Sequence, residues 1–417
     1  MGIEHYSNLC QKLRAKSHGV MAESDHSALL LDDGNISHFA DKLWNTNLPV
    51  PALSLNLSRI GTSHRRKGVA SGSTWLPVGL DRLVHYIRTS PYLVDVRLSG
   101  SGCDAKPTIL HAVVTHFIEA IENNPSIRRL GLFNVGLEAE SLARHVRRTK
   151  TLQHLSIVRC TLYKRTLNGQ HDGKNSFCTQ KMAASFALNK SIVSLRLVDL
   201  DETITISILE QLKVHGSLQK LDVSCSTAQI ISMVGQLTHG KSNSISNLNH
   251  LILRDSALQG FESIVRCLTF GKSLVQRLDV VNCSIDTVSA SLFRTLFRST
   301  KHTLQHISLC DVLLSDDTVL EEMFDGLLCS KTIHQLTLHR VALQERDYQA
   351  LHHLLQTDKS LTHVNLDRTI LAHLERQRKQ SSSDIQLLTE LQQCDDYLFS
   401  RESGKLSRAM GGTLTTV

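Results

Sequence analysis

The sequence predicts an α/β solenoid in which short parallel strands alternate with return helices. Two observations carry that prediction. The phrase LQHLSIVRCTL at Leu152–Leu162 returns about every 28 residues, as IRRLGLFNVGL from Ile127, LNHLILRDSAL from Leu248, VQRLDVVNCSI from Val275, LQHISLCDVLL from Leu304, IHQLTLHRVAL from Ile333 and LTHVNLDRTIL from Leu361. Between these phrases, apolar residues recur at helical spacing, as at Leu142 and Val146, at Val288, Leu292 and Leu296, and at Val319, Met323 and Leu327.

Each phrase is apolar at repeat positions 1, 4, 6 and 11. Positions 4 and 6 share one face of a strand, and positions 3, 5 and 7 share the other. Such a strand cannot bury its apolar side alone, so stacked neighbours build a continuous core. Position 4 is read at Leu29, Leu55, Val96, Leu130, Leu155, Leu195, Leu221, Leu251, Leu278, Ile307, Leu336 and Val364, which predicts twelve strands. The last four spacings are 27, 29, 29 and 28 residues, while the earlier ones range from 25 to 41. Two units are about a dozen residues too long, and both carry the excess after the strand, at Gly61–Ser73 and Tyr163–Cys178. Their Gly, Ser and Asn content predicts loops leaving from one edge of the solenoid.

The pattern assigns residues 26–371 to the solenoid, with a polar leader at 1–25. Ile385, Leu388, Leu391 and Leu398 predict a helical cap over 372–399, followed by a disordered tail at 400–417. That tail ends Thr415-Thr416-Val417, a short match to the peptides that PDZ domains take up by strand addition. No run nears 18 apolar residues, and the first residues lack the apolar stretch of a signal peptide. Gly2 fits an acylation motif, but Tyr6 stands where that motif needs Ser or Thr. The ten cysteines include no C-x-x-C pair, and Cys160 and Cys283 occupy an inward repeat position. Reduced packing thiols in a cytoplasmic or nuclear protein are the expectation.

The L-x-x-L-x-L phrase, with Cys160 and Cys283 at the ninth position, is the leucine-rich-repeat signature. With its 28–29-residue period and full return helices, the chain resembles the ribonuclease-inhibitor-like class of such repeats. That resemblance implies a horseshoe with the parallel sheet on its concave face and helices on its convex face. It also implies protein recognition without a cofactor, since the class includes ribonuclease inhibitor, the Ran GTPase-activating protein, tropomodulin and immune-receptor sensing domains. A fold does not choose among those roles.

Position 3 reads Arg129, His154, Ser194, Lys220, His250, Arg277, His306, Gln335 and His363. Strands about 4.8 Å apart would make this a row of basic and imidazole groups. Such a row would suit an acidic protein partner, with binding strengthened as pH falls toward 6; an ordinary solvated sheet face accounts for the same residues. Residues 126–165 hold nine basic groups against two acidic ones, an excess equal to the formal net charge of +7 of the whole chain. Arg159 lies in that segment. The inserts add Arg65, Arg66 and Lys67 in the first and Lys164 and Arg165 in the second.

The expected activity is therefore a non-catalytic scaffold that binds a protein through the sheet and the N-terminal insert edge. A GTPase activator and an electrostatic binder of nucleic acid or anionic surfaces are the alternatives. No P-loop, G-x-S-x-G, H-E-x-x-H or EF-hand motif occurs, and the histidines lack metal-ligand spacing. Of the sheet-face residues only Phe133 is aromatic, which argues against a platform for stacked bases. A monomer without a membrane span is expected.

Overall fold

The computed structural model describes residues 29–32, 35–45, 50–59, 79–100, 108–165, 171–172, 176–238, 247–380 apart from 257, 271–272, 300, 317 and 359, and 405–407. The leader, the Gly61–Ser73 insert with Arg65, Arg66 and Lys67, the cap residues from Ile385 and the C-terminal Thr-Thr-Val lie outside them. Among the described residues, twelve repeats each supply one strand and one helix. They run β1 Leu29–Asp32 and α1 Ile36–Asn45, β2 Ala52–Arg59 and α2 Leu80–Thr89, β3 Asp95–Ser99 and α3 Thr108–Glu122, and β4 Arg129–Phe133 and α4 Ala139–Arg148. Next come β5 His154–Val158 and α5 Ser176–Leu188, β6 Ser194–Val198 and α6 Glu202–Leu212, β7 Lys220–Ser224 and α7 Ala228–Thr238, and β8 His250–Arg254 and α8 Phe261–Phe270. The series closes with β9 Arg277–Val281 and α9 Thr287–Arg298, β10 His306–Cys310 and α10 Val319–Leu328, β11 Gln335–His339 and α11 Glu345–Thr357, and β12 His363–Leu366 and α12 Arg368–Gln380. This is the α/β leucine-rich-repeat solenoid.

The chain divides into two compact units, Met1–Ser217 and Leu218–Val417. In the first, β1 to β6 pair in parallel and in chain order. In the second, β7 to β12 do the same.

Register follows the repeat. Leu130, Leu155 and Leu195 align, as do Leu221, Leu251, Leu278, Ile307, Leu336 and Val364. All nine are buried. The register is corrected at two positions. Val96 pairs with Leu53, and Leu55 pairs with Leu98, so position 4 of β2 is Leu53 and Leu55 holds position 6; Leu29 pairs with Leu55 and therefore also holds position 6. The slip of two residues keeps every side chain on its face, because strands have period two. Leu53, Leu55 and Leu57 are all buried, so apolarity alone could not choose between them.

A second correction concerns α9. Its buried face is Ser289, Ala290, Phe293, Leu296 and Phe297, and Val288 is 67% exposed. Phe293 stacks obliquely on Phe261 at 4.5 Å and on Phe297 at 5.7 Å. The two rings outcompete Val288 and Leu292 for the core because each buries more apolar area. The second insert is also not a plain loop. Thr161–Arg165 pairs in parallel with Gly136–Glu138 and antiparallel with His171–Asp172, and α5 begins at Ser176 inside the expected loop. Helix α12 continues past residue 371, the expected limit of the repeats, to Gln380. Three residues of the tail expected to be disordered, Lys405–Ser407, form an antiparallel strand on β12.

Buried polar side chains close the returns between helices and strands. The carboxamide of Asn124 donates to the carbonyls of Ile87 at 2.6 Å and Ser90 at 2.9 Å, in the preceding repeat. Asn189 does the same to Val146 and Thr149, while its oxygen accepts from the amides of Ser191 and Ile192. These bonds occupy carbonyls that a helix end leaves without partners. The inward thiols act similarly: Cys160 donates to the carbonyl of Leu132 and Cys283 to that of Val281. Cys160, Cys225, Cys267, Cys283, Cys310 and Cys329 form no disulfide, and burial raises the Cys283 pKa to about 11.

Replacing the buried Leu253 with Asp should destabilise the fold by roughly 3–5 kcal/mol, since it buries a charge with no partner. A urea midpoint like that of the wild type would contradict the register. A pH effect also follows. Burial lowers the pKa of His145 and His215 to about 4, well below the ordinary histidine value. Between about pH 6.5 and pH 4 the unfolded chain therefore binds more protons than the folded one, so stability falls as pH drops through that window. Urea midpoints measured across the window should decline steadily, and His145→Phe should flatten the decline; a level profile in the wild type would refute this.

Candidate functional site

The sheet face opposite the helices presents positions 3, 5 and 7. In the first unit, register places Arg129 beside His154 and His154 beside Ser194. The position-5 row is Arg97, Gly131, Ser156 and Arg196, and the position-7 row is Ser99, Phe133, Val158 and Val198. This face of β3 to β6 holds three arginines against one carboxylate, Asp95, which lies 3.5 Å from Arg97. Arg129 and its neighbour Arg128 are exposed, and neither has an acidic partner among the described residues.

The second unit keeps the expected row but neutralises it. Lys220, His250, Arg277, His306, Gln335 and His363 align at position 3. Two buried carboxylates at position 5, Asp222 and Asp279, stand beside them. Arg254 donates to Asp222 at 2.6 Å. Arg277 donates to Asp279 at 2.8 Å, and the ring of His250 lies 2.9 Å from the same carboxylate. Burial alone would raise the Asp279 pKa, but the hydrogen bonds from His250 and Arg277 outweigh it and hold the group below the usual carboxylate range. Burial also lowers the Lys220 pKa, against the pull of Asp222 and Asp279. Sequence spacing identified the cations and missed these two aspartates, although their place two residues after position 3 was the available signal.

His306 itself drops out of the titratable row. It is buried, its ring meets the hydroxyl of Thr337 at 3.2 Å, and burial lowers its pKa to about 4. It is therefore neutral at pH 6 and adds no charge to the row.

The basic excess of residues 126–165 is likewise reduced, by acids outside that window. On the helical side, Arg144 pairs with Glu119 at 3.0 Å and Arg148 with Glu122 at 3.2 Å, both from α3. At the strand end, Arg159 pairs with Asp199 at 2.9 Å. Lys164 and Arg165 lie on the insert hairpin, opposite Asp172 and His171. At the sheet, what remains without an ion pair among the described residues is Arg129, beside Asp95 in register, and Arg128 just before its strand.

One row was not anticipated. The residue after each strand, position 8, repeatedly adopts positive φ: Asn134, Arg159, Asp199, Asp255, Asn282, Asp311 and Arg340 all lie between 50° and 55°. Asn and Asp tolerate this left-handed conformation better than other non-glycine residues. Their amides donate to the next strand, as Asn134 to Val158 at 2.8 Å and Asn282 to Cys310 at 2.9 Å. Their side chains pair along the edge, as Asn282 with Asp255 at 2.5 Å and Arg340 with Asp311. The signal was present in the sequence as the recurrent N or D before position 9.

Among the described residues no group of three His, Cys, Asp or Glu could hold a metal ion, and no helix is long and apolar enough to cross a membrane.

No family model matches the chain, and no curated protein matches it. Among solved structures it is similar to a protein from Bacteroides fragilis, with TM-score 0.44 and 12% identity, over 82% of this chain and 83% of that one. It is also similar to the leucine-rich repeat-containing protein LegL7 from Legionella pneumophila, with TM-score 0.43 and 11% identity, over 79% of this chain and 99% of that one.

The position-8 row yields a stability test. Asn282→Val should cost roughly 1–2 kcal/mol, because a β-branched residue resists positive φ. Asn282→Gly keeps the backbone and loses only the hydrogen bond to Asp255, so its urea midpoint should fall less. Equal losses would show that backbone conformation is not the constraint.

Proposed function

Taking the chain as a leucine-rich-repeat protein, we propose that it is a non-catalytic scaffold of the ribonuclease-inhibitor-like class that binds an acidic protein surface through the sheet face of its first unit. The observation that carries this reading is the exposed Arg129, without an ion pair on a face with three arginines and one aspartate, together with the exposed Arg128 just before its strand. In the second unit, Lys220, Arg254 and Arg277 stand against the buried Asp222 and Asp279, and that face has most of its charge spent internally. A free cation on an open sheet attracts and orients an acidic partner, whereas an ion-paired one must first break its pair. His154 stands beside Arg129 in the same row and would extend the contact, and Arg159, Lys164, Arg165, Arg65, Arg66 and Lys67 are proposed as further partner-binding residues. Lys220, His250, Arg277, His306 and His363 are assigned a secondary part. The proposed setting is cytoplasmic, as a monomer and without a cofactor.

Affinity capture with the tagged chain, run in parallel with Arg129→Glu and Arg277→Glu, tests the reading. Partners bound by the wild type should be lost with Arg129→Glu and kept with Arg277→Glu, and raising salt should slow their association. Equal losses in both variants, or a loss confined to Arg277→Glu, would move the site. Hydrolysis of GTP on a small GTPase, stimulated by the purified chain, would favour the activator reading instead.

A further inference from the structure

Gly131 sits in the middle of β4 and is buried. Glycine inside a strand weakens it and commonly marks a close approach by another group. Here the group is the chain's own Phe133. A Cβ at Gly131 would lie 2.5 Å from Cε2 and 3.1 Å from Cζ of the Phe133 ring, and 3.3 Å from Cγ of Arg97. The ring therefore leans back along the strand and covers the glycine, where strand side chains ordinarily stand away from the sheet. The missing side chain makes room for it. Beside Phe133 in register is the half-buried Val158, then Val198. The three form an apolar stripe at position 7, with Arg97 and Arg196 in the adjacent row and Arg129 at the end of Phe133's own strand. In the second unit, position 7 reads Ser224, Arg254, Val281, Cys310 and His339, with no aromatic residue and no adjacent glycine.

An aromatic platform with a basic rim has the arrangement of an interface hot spot, in which an apolar anchor is buried and charges at the edge set orientation. We propose that the Phe133 ring, leaning back over Gly131, is the docking platform for an acidic protein segment that carries a phenylalanine or leucine between its carboxylates. The proposal rests on the reading of the first unit's face as the binding side and adds the chemistry of its occupant: carboxylates toward Arg128 and Arg129, and one apolar side chain against the ring and Val158.

The test uses the full chain and two fluorescein-labelled peptides, Asp-Glu-Asp-Phe-Asp-Glu-Asp and the same peptide with Ala for Phe, followed by fluorescence anisotropy. The Phe peptide should bind about ten-fold more tightly, the effect of burying one large apolar side chain. Phe133→Ala should abolish that preference. Gly131→Ala should abolish it as well with little change in melting temperature, because the far end of the ring can swing away from a new methyl group. Val281→Ala, at the same repeat position in the other unit, should leave the preference intact. A preference that survives both Phe133→Ala and Gly131→Ala would overturn the platform. Equal binding of both peptides, weakened alike by Arg129→Glu, would also overturn it while leaving the binding face in place. Binding of neither peptide would overturn the acidic-segment assignment altogether.

Discussion

A five-residue strand with two inward side chains buries too little surface to fold by itself, and every other feature of this chain answers to that constraint. Stacking the strands at fixed register gives Leu251, Leu253 and their counterparts apolar neighbours above, below and behind. Once positions 4 and 6 are committed to the core, positions 3, 5 and 7 must face outward, because the side-chain period of a strand is two. The outward rows were therefore built by the demands of the inward ones. Their chemistry was left free to vary, and it differs between the two units.

That difference is electrostatic. In the second unit the face folds its own counterions into the sheet, and Asp222 and Asp279 hold Arg254, Arg277 and His250 at hydrogen-bond distance. Charges so paired stiffen a surface more than they advertise it, since a partner would have to replace bonds already made. In the first unit Arg129 has no such partner, and a glycine that weakens its strand leaves room for an aromatic ring to lean over it. A residue that reduces stability while shaping the surface is the kind of local inconsistency that binding sites contain.

Much of the fold was legible in the sequence because burial repeats. Period, strand number and the inward residues follow from leucine spacing alone. Where burial did not discriminate, the reading slipped: Leu53, Leu55 and Leu57 are equally apolar, so only the pairing with Val96 and Leu98 reveals the register. Helix faces were less legible than strands, as Val288 shows, because aromatic residues one turn apart, Phe293 and Phe297, can rotate the buried stripe. The candidate site was legible only as a list of cations. Glu119, Glu122 and Asp199 neutralise Arg144, Arg148 and Arg159 from other repeats, and no local count of charge could anticipate contacts that are 25 to 40 residues apart.

The central claim is that binding falls on the sheet face of the first unit and leaves that of the second open. Hydroxyl-radical footprinting of the chain, alone and saturated with a captured partner, measures this directly at side-chain resolution. The account predicts loss of reactivity at Phe133 and Val158 with Val281, Cys310 and His339 unchanged. Protection of Cys310 and His339 with Phe133 still fully reactive would contradict it.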